Sequence, residues 1–311
     1  NDRVATLSAS IGVTLYPVDG ADADTLLRHA DQAMYLAKQA GRHRYHLFDP
    51  EHDRQAHAHR EAMTRIEQAL SAGEFCLYYQ PKVNMRYGTV IGAEALIRWQ
   101  HPERGLLPPS EFLPVIEDSE FSVALGEWVM AEALRQMDAW QQHGLALPVS
   151  VNIAARHLQH PGFSERLSAL LDHYPNVPAN QLELEVLETA ALDDIAYVSA
   201  LIERCRGQGV GFALDDFGTG YSSLTYLKRL PASVLKIDQS FVRDMLKDPE
   251  DLAIIEGVIG LAQAFRRSVI AEGVETLEHG ALLIQLGCDL GQGYGIARPM
   301  PADAIPAWVA G

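Results

Sequence analysis

The sequence predicts an α/β fold: a (β/α)₈ TIM-like barrel with one antiparallel strand, preceded by a short strand-helix-strand segment. Three observations carry this. Between residues 75 and 296, eight strand-like runs alternate with helix-like ones, the pattern of parallel strands joined by crossover helices. The first two runs, 75–83 and 90–99, are joined by only Asn84 to Thr89, which is hairpin length and too short for a parallel crossover. Carboxylates and amides gather at the ends of nearly all the strands, where barrel enzymes keep their chemistry.

At 311 residues the chain has room for one large domain and a piece of another. Its 48% hydrophobic and 21% charged residues are ordinary for a globular protein. The net charge of −16 argues against binding to DNA or RNA polymers and against contact with an anionic membrane. An anionic substrate then needs bound cations that reverse the local field. Cys76, Cys205 and Cys288 have no metal or redox spacing, which suits a reducing cytoplasm. No apolar run approaches the ~18 residues of a membrane span, and no secretory signal opens the chain. Opening on Asn1, the sequence reads as a fragment of a longer protein, whose other parts are free to be membrane-anchored.

Residues 9–15 and 45–48 read as strands around a helix at 24–39, with Leu26, Leu27, Ala30, Ala33, Met34 and Ala37 at helical spacing and Gly41 as its stop. A polar helix follows at 51–70, with Met63, Ile66 and Leu70 on one stripe and Gly73 at its end. His43, His46, His52, His57 and His59 read as solvated surface, because no cysteine or carboxylate arrangement completes a metal site. The expected division is 1–50, a linker helix 51–72, and a barrel over 73–311. The remaining strands are expected at 148–154, 182–188, 209–215, 234–238, 268–274 and 290–296. Helices are expected near 122–143, 163–173, 193–207, 222–229, 250–266 and 276–286, with another at the C-terminus.

The most informative stretch is 209–224. Val210, Phe212 and Leu214 fall on one face of its strand, Gly211, Ala213 and Asp215 on the other. Neighbours on a regular strand point to opposite faces, so Asp215 and Asp216 serve one site only if the strand ends there. Gly218 and Gly220 permit turns, and Ser222 or Ser223 can cap the next helix. Alone, the pair fits either a structural turn or a divalent-cation site. The other strand ends favour the cation: Glu94 and Arg98, Asn152, Glu185 and Glu188, Lys236 and Asp238, Glu272 and Glu275, and Gln292. Oxygen donors without histidine or cysteine point to Mg²⁺ or Mn²⁺ rather than zinc. A two-ion centre suits phosphodiester hydrolysis, with Lys236 orienting water or offsetting charge and Glu272 taking the water's proton. Glu94 and Arg98 share a strand face ~13 Å apart, so they serve different parts of an elongated ligand.

Glu94-Ala-Leu-Ile-Arg-Trp99 resembles the signature of EAL-domain cyclic di-GMP phosphodiesterases. Tyr79-Gln-Pro-Lys82, Phe112-Leu-Pro-Val-Ile-Glu117, Val151-Asn152, Glu185-Val-Leu-Glu188, Asp215 to Leu224, Leu235-Lys-Ile-Asp238, Ala271 to Thr276 and Gln292-Gly-Tyr294 complete the resemblance. Ser10-Ile-Gly-Val13, Tyr16-Pro17, Ala30 to Tyr35, Ala37-Lys38, Gly41-Arg42 and Tyr45 to Phe48 are similar to the C-terminal end of a GGDEF (diguanylate cyclase) domain. The segment bearing the cyclase signature is not among them, so the resemblance assigns no cyclase activity to this chain.

The first resemblance implies metal-dependent hydrolysis of cyclic di-GMP to linear pGpG. It implies Glu94, Asn152, Glu185, Asp215 and Asp216 as metal ligands, with Asp215 bridging two ions. It assigns Lys236 and Glu272 to the attacking water and Glu188 to holding the loop 217–224. Arg98, Gln80, Asp238, Gln292 and Tyr294 fall to the substrate, with Gln80 and Tyr294 beside the guanines. It also implies a homodimer through the loop and helix after Asp216. Three positions depart from the family pattern: Leu187 stands where threonine is usual, Ala154 where serine is usual, and Glu120 where glycine is common. Leu187 lies between Glu185 and Glu188 and is expected to detune them. The alternative is a receptor that binds cyclic di-GMP without cleaving it; an unrelated Mg²⁺-dependent barrel lyase fits the metal chemistry but not the motif order.

Overall fold

Each barrel strand alternates apolar with polar residues, and that alternation sorts the two faces of one closed sheet. A computed structural model describes residues 8–17, 19, 22–39, 41–189, 194–219 and 224–311. They divide into two units, Asn1–Ile66 and Glu67–Gly311.

In the first unit β1 (Ile11–Val13) pairs in parallel with β2 (Tyr45–Leu47), and α1 (Ala23–Gln39) packs on them. Ala33 and Ala37 are the fully buried side of α1. Gly12 is where the α1 backbone comes closest: a Cβ there would meet the Ala30 carbonyl oxygen at 1.8 Å. His29 stacks on Phe48 at 3.8 Å between ring centroids. The strands are shorter than expected because three paired residues on each side complete the ladder. Helix α2 (Pro50–Ser71) spans the division between units. It ends where Gly73 turns left-handed, φ 69°, with the Glu74 amide donating to the Ala69 carbonyl at 3.0 Å.

The second unit runs β3 (Phe75–Asn84), β4 (Thr89–His101), β5 (Gly105–Leu107), α3 (Leu113–Ile116), α4 (Phe121–Gln142), β6 (Val149–Ile153), α5 (Ala155–Leu158) and α6 (Phe163–His173). It continues through β7 (Leu182–Leu187), α7 (Ile195–Gly207), β8 (Gly211–Phe217), α8 (Leu224–Arg229), β9 (Val234–Ile237), α9 (Gln239–Asp244) and α10 (Pro249–Ala264). It closes with β10 (Ser268–Ala271), α11 (Leu277–Leu286), β11 (Leu290–Gly291), β12 (Met300–Pro301) and α12 (Ile305–Ala310). Eight strands close in the order β3, β11, β10, β9, β8, β7, β6, β4, and β4 pairs back to β3. β3 is antiparallel to both neighbours, as the short hairpin requires. β5 extends the β4 edge and β12 lies against Tyr78 and Tyr79 of β3.

Register fixes which residues face the lumen. Gln80 pairs with Glu94, Glu94 with Ser150, Ser150 with Glu183, and Asn152 with Glu185. Leu187 pairs with Asp215, and Lys236 with Ile270. Paired residues share a face, so one polar set lines the interior. The alternate residues Val149, Val151, Leu182, Leu184, Val186, Phe212, Leu214, Leu235 and Ile237 are buried on the outer face that the helices cover. Burying that many large aliphatic side chains, each contributing about 1.5–3 kcal/mol, is what offsets a charged lumen.

Three strands differ from expectation at one end. The strand at 209–215 does not stop at Asp215 but continues to Phe217. A bulge opposite β9, between Leu214 and Phe217, and a left-handed Asp216 (φ 52°) turn both aspartates to one site. The strand expected over 268–274 ends at Ala271, since Gly273 takes φ 69°. That expected over 290–296 pairs only at Leu290 and Gly291, after which Gly293 lies on the Val274 backbone, where a Cβ would meet the Val274 nitrogen at 2.3 Å. Gly220, Ser222 and Ser223 lie outside the described residues.

Candidate metal and catalytic site

Lys236 of β9 is fully buried at the centre of the barrel mouth. Its Nζ lies 2.5 Å from Glu185 Oε2, 2.6 Å from Glu272 Oε1, 3.0 Å from Asp215 Oδ1 and 3.6 Å from Glu94 Oε2. Burial works against the ammonium charge, but the surrounding carboxylates win, and the lysine titrates well above its ordinary value. One ammonium cannot neutralise four carboxylates. Burial, reinforced by the neighbouring acids, pushes Glu94 and Asp215 above the usual carboxylate range and carries Glu272 up to about 8. Burial acts on Glu185 too, but Lys236 and Lys82 together outweigh it and hold this acid at about 2. The mouth therefore holds more carboxyl groups than its one ammonium can balance, and it relieves part of that excess by keeping protons on them.

Two carboxylate triads sit in it. Glu94, Glu185 and Asp215 each offer an oxygen within 4.8 Å of the others, and so do Asp215, Asp216 and Glu272. Asp215 belongs to both. An all-oxygen donor set with unneutralised charge fits a hard divalent cation, and these residues suit such an ion chemically. Asn152 donates from Nδ2 to Glu94 Oε1 at 2.6 Å, which keeps its amide beside the first triad. Asp216 is pushed up to about 7, first by burial and then by the charge of Asp215, and it shares a hydrogen bond with Asp238. Asp238 caps α9, accepting from the Ser240 amide at 2.9 Å and from the Ser240 hydroxyl. These bonds outweigh burial and keep Asp238 ionised below the usual range.

Amides and backbone brace the cluster. Gln292 Nε2 donates to Glu94 Oε2 at 2.6 Å and to Gln80 Oε1 at 3.0 Å, and Gln80 Nε2 donates to the Ala297 carbonyl at 2.9 Å. The Glu188 amide donates to the Asp215 carbonyl at 3.1 Å, while Glu188 Oε2 accepts from the Gly218 amide at 3.0 Å. The end of β7 is thus tied on both sides of the β8 bulge.

A cavity of about 300 Å³ opens over this cluster, walled by Glu94, Arg98, Asn152, Asp215, Glu272, Glu275, Gln292, Tyr294 and Pro299. Arg98 stands on β4 beyond the three residues that pair with β6, on a ribbon that rises above the mouth. An adjoining, mostly apolar cavity of about 410 Å³ shares Asn152 and includes Leu96, Leu113, Ala154, Glu185 and Leu187. A larger groove of about 710 Å³ lies on the flank, between β3, α4 and residues 301–306, and contains none of the clustered acids.

Of the residues singled out in the sequence, Glu94, Asn152, Glu185, Asp215, Asp216, Lys236, Glu272 and Gln292 come together at the mouth. Arg98 and Tyr294 line the cavity farther out. Gln80 also lines that cavity, its side chain engaged by Gln292 and Ala297, while Glu188 and Asp238 stand behind, engaged by Gly218 and by Ser240. Lys82 has no role in the sequence reading, yet it is fully buried one layer below. Its Nζ is 3.0 Å from Glu183 Oε1 and 3.5 Å from Glu185 Oε1, and it donates to the Ser150 hydroxyl. The signal was present as paired polar alternation, Gln80 with Lys82, Ser150 with Asn152, and Glu183 with Glu185.

With this geometry in hand, comparison with known proteins is specific. Residues 63–299 match the EAL domain, and residues 1–44 match the family described as diguanylate cyclase, GGDEF domain. The chain is 42% identical over 306 residues to the bifunctional diguanylate cyclase/cyclic di-GMP phosphodiesterase MucR of Pseudomonas aeruginosa, covering 98% of this chain and 44% of MucR. It is 38% identical to the cyclic di-GMP phosphodiesterase PdeR of Escherichia coli, covering 97% of this chain and 45% of PdeR. The chain thus spans less than half the length of these relatives. Among solved structures, a MucR phosphodiesterase in complex with c-di-GMP superposes with a TM-score of 0.76 at 41% identity, over 79% of this chain and 99% of that one. The EAL enzyme Bd1971, bound to cAMP and cyclic di-GMP, superposes with a TM-score of 0.80 at 31% identity, over 94% of this chain and 77% of that one.

Proposed function

Because the chain belongs to the EAL-domain family, we propose that its barrel hydrolyses cyclic di-GMP to linear pGpG. The observation that carries this reading is the pair of carboxylate triads sharing Asp215 around a buried lysine, under a cavity that also holds Arg98. Mg²⁺ or Mn²⁺, when bound, would polarise the phosphodiester and the attacking water, and Asp215 is the residue that both ions would share. Glu94, Asn152 and Glu185 complete the first site and Asp216 the second. Glu272 takes the water's proton; Lys236, 2.6 Å from it, orients that water and offsets charge on the phosphoryl oxygens. The new P–O bond forms from water, the P–O3′ bond breaks, and the 3′ oxygen leaves as a hydroxyl once protonated.

Arg98 binds phosphate, and Tyr294 stands where a base would lie. Gln292 and Gln80 keep Glu94 in line, Glu188 holds the loop after Asp215, and Asp238 acts through Asp216. Around this centre we keep the division into 1–50, the end of a GGDEF domain without assigned cyclase activity, a linker helix over 51–72, and a catalytic barrel over 73–311. We place the activity in the cytoplasm, in keeping with three free cysteines. No helix among the described residues is long and apolar enough to cross a membrane. A homodimer through the segment after Asp216 completes the proposal, and sedimentation equilibrium tests it.

The deciding experiment incubates the chain with cyclic di-GMP and Mg²⁺ or Mn²⁺ and resolves the nucleotides by chromatography. Appearance of pGpG is the expected result. Tight binding without product would assign the chain to the receptor class, and Leu187, lining the adjoining cavity beside Glu185, is the residue to exchange for threonine in that event.

A further inference from the structure

Tyr294 and Arg298 form a pair that the bond-breaking chemistry does not use. Tyr294 lines the cavity over the acidic cluster, yet it is 55% exposed. The Arg298 guanidinium lies over its ring, 4.4 Å from the centroid. Arg298 has no carboxylate partner among the described residues, although the chain carries 41 acids against 25 lysines and arginines. With no acid beside it, the guanidinium has the ring as its neighbour.

The loop bearing the pair is built rigidly. Gly293 and Gly295 lie against the Val274 and Glu275 backbone, where a Cβ would meet main-chain atoms at 2.3 and 2.4 Å. The amides of Ile296 and Ala297 both bond the Gly293 carbonyl at 3.0 Å. The Ala297 carbonyl is held by Gln80 at 2.9 Å, and Pro299 forms part of the cavity wall. Arg298 is therefore carried on a backbone held at both neighbours, within reach of the Tyr294 ring.

We propose that Arg298 is a positioning residue that completes a base-stacking sandwich: the cation covers one face of Tyr294, and the other face receives one purine of the bound dinucleotide. A guanidinium on the far face holds the ring against rotation and adds cation–π attraction, on the order of 0.5–1 kcal/mol at an exposed site. Stacking of a base on an aromatic side chain is worth about 1–3 kcal/mol. The sandwich rests on the proposed function, since it takes its ligand from it, but it acts on substrate binding and not on turnover.

The test is steady-state kinetics of cyclic di-GMP hydrolysis with a double-mutant cycle. Tyr294→Ala is expected to raise KM about 5- to 150-fold, the range that base stacking spans. Arg298→Met is expected to raise KM roughly 2- to 5-fold with kcat within about twofold, and Arg298→Lys, which keeps the cation, to recover most of the loss. In the Tyr294→Ala background, Arg298→Met is expected to add nothing, because the ring it serves is gone. Additive KM effects in that background, an effect on kcat in place of KM, or Arg298→Lys behaving as Arg298→Met would each overturn the sandwich while leaving hydrolysis standing. A wild-type chain that binds without cleaving moves the same cycle to dissociation constants from calorimetry. A wild-type chain that neither binds nor cleaves removes the proposed function, and the sandwich with it.

Discussion

The barrel has two buried lysines, one layer apart, and their surroundings are made of the same parts put together differently. Lys82 meets Glu183, Glu185 and the Ser150 hydroxyl, with Glu183 as its own counter-ion, Glu185 shared with Lys236, and a hydrogen-bonded network around it. Lys236 meets four carboxylates and shares only Glu185 with the layer below. Both ammonium groups titrate above their ordinary value in spite of burial. What separates the layers is the remainder: the lower one is close to charge balance and closed, the upper one is short of positive charge and open to a cavity. A closed, balanced layer supports structure. An open, unbalanced one suits a cation, and the contrast locates the candidate site better than burial or charge taken separately.

The largest expected effect follows from Asp215, which belongs to both triads. Asp215→Asn keeps the shape and removes the shared charge; turnover should fall by at least on the order of 10²–10³-fold, with the fold retained by circular dichroism. Near-normal rates in that variant would refute the bridging role. Lys82→Met probes the lower layer, and here the expected loss is stability. Glu183 and Glu185 lose a buried partner, for which about 3–5 kcal/mol is typical, read as a shift in the denaturant midpoint. Its activity per folded molecule should drop less than tenfold. If Lys82→Met abolished turnover at unchanged stability, the division between the layers would be wrong.

A pH series sharpens the same contrast. Glu272 and Asp216 titrate near 8 and 7, above the values expected in the unfolded chain. Groups with raised folded values stabilise fully below the usual carboxylate range and lose that contribution as pH rises through 7 to 8. The metal-free protein should therefore unfold at lower temperature at pH 8 than at pH 6, and Mg²⁺ should reverse the loss. Cation binding must displace the same protons, so affinity should climb about tenfold per pH unit for each proton released across that window. Calorimetry in two buffers of different ionisation enthalpy counts those protons; a pH-independent affinity would contradict the retention of protons on Glu272 and Asp216. The smallest effect belongs to Leu187, which lines the adjoining cavity: Leu187→Thr should change turnover by no more than about tenfold, compared directly in the same assay.

The eight strands and the reversed first one were legible because period-2 alternation and a six-residue hairpin survive in any context. The polar residues of the mouth were legible for the same reason, since Glu94, Asn152, Glu185 and Lys236 sit at lumen positions of their strands. Asp216 was legible as Asp215's companion, but the means was not: the strand was expected to end at Asp215, and the turn of Asp216 into the site depends on a bulge that exists only in the pairing of β8 with β9. Lys82 was visible as an out-of-place lysine, but its partners come from β6 and β7, more than sixty residues away. Arg298 carried no signal at all; its importance arises from a loop course set by contacts of Gly293 and Gly295 with another segment's backbone.

The reversed strand has a consequence for wiring. In a barrel whose first strand is parallel to the rest, the chain enters at the pole opposite the chemistry. Here Phe75, where β3 begins, lies across from Trp99, and Asn84 at its far end lies across from Thr89, so the chain comes in at the catalytic pole. Five residues into the strand is Gln80, two hydrogen bonds from Glu94 by way of Gln292. The segment that leads into β3 thus joins the barrel within a few residues of the reaction centre, without crossing the length of the barrel.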